Sequence, residues 1–440
     1  MSTHDLLRWS HYTTVVPGRA STYVLLEDQA KVLHVSHREQ RYEEIAALHR
    51  RDVAGLGSLA ALLEHAGALV PHGFDERAPV LALARRSEDA PDKGRTKFHL
   101  FMTHNCNFRC VYCIQGHAIK AEQTRILDVS QVDAAFDGLT HFIERIPSGR
   151  LPHGVTLFGG EPMMPATRSP LLHAVDRAVA MGLGVSAVTN GYYYDRFREP
   201  LAQRGVLAGM SFLVSLDGPP HVHDLRRPRI DDRGTFERVA DNITRMLDDG
   251  ASVVLQPIVD EQNADHLQEL YAIVQARKWL DSGRFEIKCG ITMFPNAQAI
   301  PGCKGSREEQ VLGKVLRFSE NPGVRAGFDA VLKRSHFLDR VMRERRPVQV
   351  TTGCDAKRAG ALSFSPDGLV YPCREYAGHG VARAIGRYWP GPEVFSEAFQ
   401  SWFGWKVSTH PKCSACKHVL LCGGGCRVET ETRGRDERMD

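Results

Sequence analysis

The stretch 103-THNCNFRCVYCIQG-116 places Cys106, Cys110 and Cys113 within eight residues. Thiolates so spaced ligate metal, but three are one short of a closed zinc site or ferredoxin cluster. The next cysteine, Cys289, is far away in sequence. A cubane held by three thiolates leaves one iron open to a small molecule, as a catalytic zinc keeps an open position. The spacing therefore predicts an incomplete, reactive iron–sulfur centre, with a zinc knuckle as the rival.

Six further cysteines lie between residues 354 and 426: Cys354, Cys373, and the group 413-CSACKHVLLCGGGC-426 with Cys413, Cys416, Cys422 and Cys426. Of the 11 cysteines only Cys289 and Cys303 stand apart. Clustering at short spacing, without an export signal, argues for metal ligation rather than disulfides. Zinc ribbons also use CxxC pairs, so zinc remains possible for this group on spacing alone. Cys289 sits in an apolar run and reads as a core thiol.

Three polar motifs lie between the two groups. They are 157-LFGGEP-162, 188-VTNG-191 and 214-VSLDGPPHVHDLRRP-228. Gly159 and Gly160 allow close backbone approach, and Glu161 offers an acceptor for an ammonium group. Each motif ends an apolar run. The runs are KFHLFMT, GVTLFGG, GVSAVTN, SFLVSLDG, SVVLQPIV and RFEIKCGITMF. Helical stretches such as VDAAFDGLTHFIERI and FERVADNITRMLDDG separate them. Six strands alternating with helices predict a parallel α/β sheet, open or partly closed into a barrel, with its site at the C-terminal strand ends.

Upstream, residues 22–37 read as a hairpin followed by two helices, a small α+β module over 1–80. Residues 81–96 read as a linker, 97–325 as the barrel, and 326–440 as a cysteine-rich domain held by metal. The 440 residues suit two or three domains. Lys+Arg 56 against Asp+Glu 52 gives a net charge of +4, too mild to favour nucleic acid. No run is apolar for long enough to span a bilayer, so a cytoplasmic location without membrane partners is expected.

The pattern C-x-x-x-C-x-aromatic-C after a first strand, then GGEP and SLDGP…HDxxRP, resembles the radical S-adenosylmethionine (SAM) superfamily. The cysteine-rich end resembles its SPASM domain. The resemblance covers about residues 97–430 and implies a partial (β/α)6 barrel. It implies a 4Fe–4S cluster on Cys106, Cys110 and Cys113, whose open iron binds SAM. It assigns Gly159, Gly160, Glu161 and Pro162 to the methionine amino group of SAM, and Asn190 to the same site. Ser215 and Asp217 are expected at the ribose, and Arg227, with Arg226 as the alternative, at the carboxylate. Tyr112 is expected near adenine or in the core. Gln256 and Asn263 are SAM contacts or surface residues, and His221 and His223 are structural.

In the SPASM family two auxiliary 4Fe–4S clusters are bound. The resemblance gives Cys354, Cys373 and Cys426 to one, with Cys303 as a candidate fourth ligand, and Cys413, Cys416 and Cys422 to the other. The family's final cysteine has no counterpart after Cys426. That branch modifies peptides, which implies a peptide maturase installing a cross-link, with a sulfatase-maturing enzyme or an epimerase as alternatives. Arg374 stands where the sulfatase class has aspartate. Glu375 and Tyr376 are the candidate catalytic residues. The N-terminal module resembles the winged-helix RiPP recognition element, which implies a precursor peptide with a leader as partner. A flavodoxin or ferredoxin is the expected reductant. An electron-transfer protein or a zinc-stabilised binding protein are the rivals of other classes.

Overall fold

The computed structural model describes residues 7–17, 20–29, 31–89, 94–113, 115, 125–147, 149–291, 308–326, 354, 356 and 360–428; Cys303 lies outside them. They fall into two compact units. One comes from the described parts of 1–91, 332–354 and 405–430, the other from 92–331 and 355–404.

The first unit begins with β1 (Leu7–Trp9), β2 (Thr13–Pro17), β3 (Ser21–Leu26) and β4 (Lys31–Ser36). Then come α1 (Tyr42–Arg50), α2 (Leu59–Ala66), β5 (Leu69–Pro71) and α3 (Arg77–Asp89). β2, β3 and β4 form an antiparallel meander, and β1 pairs with β5. The expected hairpin at 22–37 is the β3–β4 pair. Val24 and Leu26 alternate onto one face of β3 and meet Ile45, Leu48, Leu59 and Leu63 in one core. That burial is what holds so short a sheet together.

Helix α3 corrects the expected linker. It runs through residue 89, because Val80, Leu81 and Ala84 are buried while the charged residues after them form its exposed end. Its inner face shares a core with Tyr12, Val407, Val419 and Leu420. The Glu88 carboxylate accepts the backbone N–H of Val407 at 2.7 Å and the Ser408 hydroxyl at 2.5 Å. Residues 405–428 thus belong to the N-terminal unit. The stretch 326–440, read as one domain, is divided between the two units.

The second unit alternates strands and helices. In order these are β6 (Lys97–Phe101), α4 (Val129–Ile143), β7 (Gly154–Phe158), α5 (Arg168–Ala180), β8 (Gly184–Thr189) and α6 (Tyr194–Gln203). There follow β9 (Ser211–Val214), α7 (Pro220–Arg226), α8 (Phe236–Asp248), β10 (Ser252–Leu255), β11 (Ile258–Val259), α9 (Leu267–Ala276) and β12 (Phe285–Ile291). α10 (Glu308–Phe318), β13 (Val324–Ala326), β14 (Ala361–Phe364), β15 (Leu369–Tyr371), β16 (Gly386–Arg387), β17 (Glu393–Val394) and α11 (Ser396–Phe403) complete it. In the first unit, α12 (Pro411–Ala415) and α13 (Val419–Cys422) carry the last cysteines.

The six expected strands are β6, β7, β8, β9, β10 and β12, all parallel neighbours. A strand not expected, β14, extends the sheet parallel to β6, from Ala361↔Lys97 to Phe364↔Leu100. Helix α4 shows why the crossovers form. Asp128 caps it by accepting the Gln131 N–H at 2.8 Å, and Gln131 returns the bond. Val132, Ala135, Phe136, Leu139 and Phe142 then fall on one buried stripe. Along β7, β8, β9 and β10 burial alternates strictly. Fully buried residues such as Val155, Leu157, Phe212 and Val253 lie on one face. The half-buried set on the other includes Val188 and Leu213, which line a cavity. No helix of the described residues is long and apolar enough to cross a membrane.

Candidate active site

A cavity of about 270 Å³ lies at the C-terminal ends of the strands. It takes Cys106, Cys110 and Cys113 from after β6, Gly159 and Gly160 from after β7, and Asn190 from after β8. Ser215 follows β9, Gln256 follows β10, and Gly290 belongs to β12. Arg374 and Glu375, after β15, complete it. Strand ends from across the sheet line one space, so the sheet curls around it.

The cysteine loop is held on two sides by backbone. On one side Gly160 N–H donates to the Thr103 carbonyl and Glu161 N–H to that of Asn105, both at 2.9 Å. A Cβ on Gly160 would overlap the Asn105 and His104 carbonyl oxygens, and one on Gly159 that of Thr103. The two glycines are therefore demanded first by the cysteine loop itself, a role the motif alone did not reveal. On the other side Arg109 N–H donates to Pro228 at 2.8 Å, Val111 to Arg226 at 3.0 Å, and Ile230 to Asn107 at 2.9 Å. The segment after α7 is a rail along which the loop lies.

The chemistry of the cradle fits an iron–sulfur core. Burial pushes the Cys106 thiol well up, and the Cys110 thiol to about 12, against the pull of Arg227. Three bare thiolates would be costly there, and a cationic inorganic core removes that cost. A single zinc sets its thiolate sulfurs about 3.8 Å apart. The three sulfurs here do not all lie within 4.8 Å of one another. The Phe108 N–H donates to the Cys106 sulfur at 3.3 Å, and the Asn190 amide reaches it at 3.8 Å. Bonds of this kind tune a cluster's potential.

Arg227 lines the cavity, and its buried Nε has no hydrogen-bond partner. Its guanidinium donates to the Tyr112 hydroxyl and lies 5.8 Å from that ring's centre. Tyr112 in turn donates to Asp217 at 2.6 Å. Arg226 also has a buried Nε without a hydrogen-bond partner, but its terminal nitrogens donate to Asp260 at 2.8 Å, Gln262 at 3.0 Å and the Ile258 carbonyl at 3.1 Å. Of the two arginines, Arg227 is the one that lines the cavity.

The radical SAM superfamily model matches residues 100–274. Those residues carry a radical SAM domain. Streptococcus suis SuiB bound to precursor peptide SuiA has the same fold, at a TM-score of 0.54 and 12% identity over 97% of both chains. Native anSMEcpe with bound AdoMet and Cp18Cys peptide matches at 0.53 and 15%, covering 78% of this chain and 91% of that one. A GTP 3',8-cyclase of Synechocystis is 24% identical over 206 residues, 47% of this chain. That match spans 58% of the cyclase, less than two thirds of its length.

Not every expected residue faces the cavity. Asp217 does not: it is fully buried, holds Tyr112, and accepts the Ile258 N–H at 3.0 Å. Only Ser215 of that expected pair lines the space. Glu161 is likewise absent from the lining. Its carboxylate accepts from Met163 N at 2.8 Å, and from the Thr189 hydroxyl and Asn190 N at 2.6 Å each. These bonds tie the GGEP turn to the end of β8, while burial pushes the carboxyl pKa up. Pro162 is outside the lining as well. Asn263 is buried and structural, donating to the Asp217 carbonyl at 2.7 Å, whereas Gln256 lines the cavity. His223, also buried, accepts the Asp217 N–H at 3.2 Å.

Glu375 lines the cavity and pairs with Arg374 at 3.0 Å. Tyr376 is buried beside Trp402, ring centres 5.7 Å apart, and is not among the lining residues. That is a packing role, because the short helical turn Arg374–Tyr376 points successive side chains to different sides. Cys289 is buried within β12, and burial pushes its thiol up to about 12. Cys354, Cys413, Cys416, Cys422 and Cys426 belong to the first unit and Cys373 to the second.

Two buried histidines outside the lining escaped the sequence reading. His99 on β6 meets Ser363 of β14 at 3.2 Å, and His104 meets Ser365 at 2.8 Å. Burial, helped by Arg374, pulls the His99 pKa down to about 3. The signal was present only as polar residues inside apolar runs.

Proposed function

We propose that this chain is a radical SAM peptide maturase. It would act on a ribosomally made precursor peptide and install a thioether, C–C, C–O or C–N cross-link. The observation that carries this reading is the cavity that unites Cys106, Cys110 and Cys113 with Arg227 on one side and the Arg374–Glu375 pair on the other. Fold likeness to SuiB and anSMEcpe, both seen with peptides, supports the substrate class.

In this reading Cys106, Cys110 and Cys113 hold the cluster, and Arg227 receives the SAM carboxylate through its fork. With SAM, a cluster held there would supply the one-electron reductive cleavage that begins hydrogen abstraction from the peptide. The chain's own work is positioning and exclusion. Phe158, Val188, Leu213 and Ile258 form apolar walls that keep water from the reacting carbon. Glu375 accepts the proton released when the new bond forms, and Arg374 fixes that carboxylate. Cys413, Cys416 and Cys422 would hold an auxiliary 4Fe–4S cluster, which would supply an acceptor for the surplus electron, and a flavodoxin or ferredoxin would be the reductant of the first. The β2–β3–β4 meander with its helices supports leader binding by strand addition.

The test is anaerobic. Brown protein given SAM and reductant should release 5′-deoxyadenosine, and a co-expressed precursor peptide should lose two mass units per cross-link. Colourless zinc-loaded protein, or iron-loaded protein that makes no 5′-deoxyadenosine, would overturn the reading.

A further inference from the structure

Outside the cavity, on the surface of the second unit, His221, His266 and Glu269 converge. One ligand atom from each lies within 4.8 Å of the other two. His221 is on α7; His266 ends the turn before α9, which carries Glu269. The two imidazole rings stand edge to face, centres 5.4 Å apart. His266 Nδ1 meets the Glu269 carboxylate at 2.7 Å. Among the described residues this is the one group of three such ligand atoms so close together.

We propose that His221, His266 and Glu269 form a mononuclear site for a borderline divalent cation such as zinc. Two imidazoles with one carboxylate suit zinc or nickel and disfavour the hard ions magnesium and calcium. Zinc bonds of roughly 2.0–2.2 Å set ligand atoms about 3.3 Å apart. The side chains are exposed or half-buried, so rotation about their own torsions closes the remaining distance. The ion replaces whatever proton the His266–Glu269 pair shares, and that proton leaves to solvent. Remaining coordination positions go to water.

The position gives the site a consequence. Its ligands come from α7 and from the α9 entry, the two segments that Arg226 already joins on the inside through Asp260 and Gln262. Asn263, just before that entry, donates to the Asp217 carbonyl. A bound ion clasps the outside of the same junction. That junction carries Arg227, the partner of Tyr112, into the cavity, so the ion stiffens one wall of the active site without touching it. The site does not depend on the reaction proposed above.

The experiment uses full-length, tag-free protein with its clusters reconstituted anaerobically. It is dialysed against buffered free zinc, and zinc and iron are counted per chain. Wild type should hold one more zinc than His221→Ala/His266→Ala, at equal iron. Glu269→Gln should weaken that zinc at least about tenfold. Zinc should raise the melting temperature of wild type and not of the double variant. Equal zinc in wild type and the variants, meaning zinc on stray cysteines only, overturns the proposal. If the double variant loses iron, His221→Ala and Glu269→Gln alone decide by the same count.

Discussion

The two cysteine groups look alike as sequence and are supported in unlike ways. Cys106–Cys113 lies in a loop fixed by long-range backbone bonds, to residues near 160 on one side and 226–230 on the other. Cys413–Cys426 is built from two helices of 5 and 4 residues. Three consecutive glycines, Gly423, Gly424 and Gly425, follow at positive φ. Its packing comes from one small core with Tyr12, Val80 and Ala84. The first loop is held by the barrel; the second depends far more on what its thiols bind.

That contrast yields tests in descending order of effect. Cys106→Ala should abolish 5′-deoxyadenosine formation and remove about four irons, yet leave far-ultraviolet circular dichroism unchanged. Cys416→Ala should lose iron and also expose the first unit to protease. Equal protease resistance of the two variants would erase the distinction. Next, Gly160→Ala should cost about 2 kcal/mol in denaturant unfolding and strip the first cluster, because the new methyl meets the His104 and Asn105 carbonyls. Full iron retention would show that the loop is not braced there.

Arg227→Lys should weaken SAM at least about tenfold, roughly 1.4 kcal/mol, while Arg226→Lys should act mainly on stability. Equal SAM affinity in wild type and Arg227→Lys, by equilibrium binding, would return the carboxylate to another donor. His99 and His223 are kept neutral by burial. Their folded pKa values lie below the unfolded one, so the unfolded chain binds more protons. Stability should then fall as pH drops below about 6.5, by roughly 1 kcal/mol per unit for each histidine. His99→Gln should flatten that slope in urea titrations. The smallest contrast is at the cavity rim: Glu375→Gln should slow peptide modification, whereas Tyr376→Phe should leave it within about twofold, as a packing residue would.

The strands of the barrel were legible because each is a short apolar run ended by a polar motif. The cysteine loop was legible because thiols at that spacing have few other uses. What was hidden is non-local. β14 pairs with β6 across more than 260 residues, and nothing within ALSF announces a barrel strand. The first part of the expected linker is helical because its inner residues find Val407 and Leu420, which are remote in sequence. The motif residues Glu161 and Asp217 are buried and lie outside the cavity lining. A buried carboxylate surrounded by backbone donors serves the fold first, and spacing alone does not reveal those donors.

The rail formed by residues 226–230 has a consequence for assembly. The bonds from Arg109, Val111 and Ile230, with those from Gly160 and Glu161, order the loop when the barrel folds. Little conformational entropy is then left to lose when iron and sulfide arrive. Under the proposed reading, cluster insertion at Cys106, Cys110 and Cys113 would be a capture event by a preformed loop rather than a folding event.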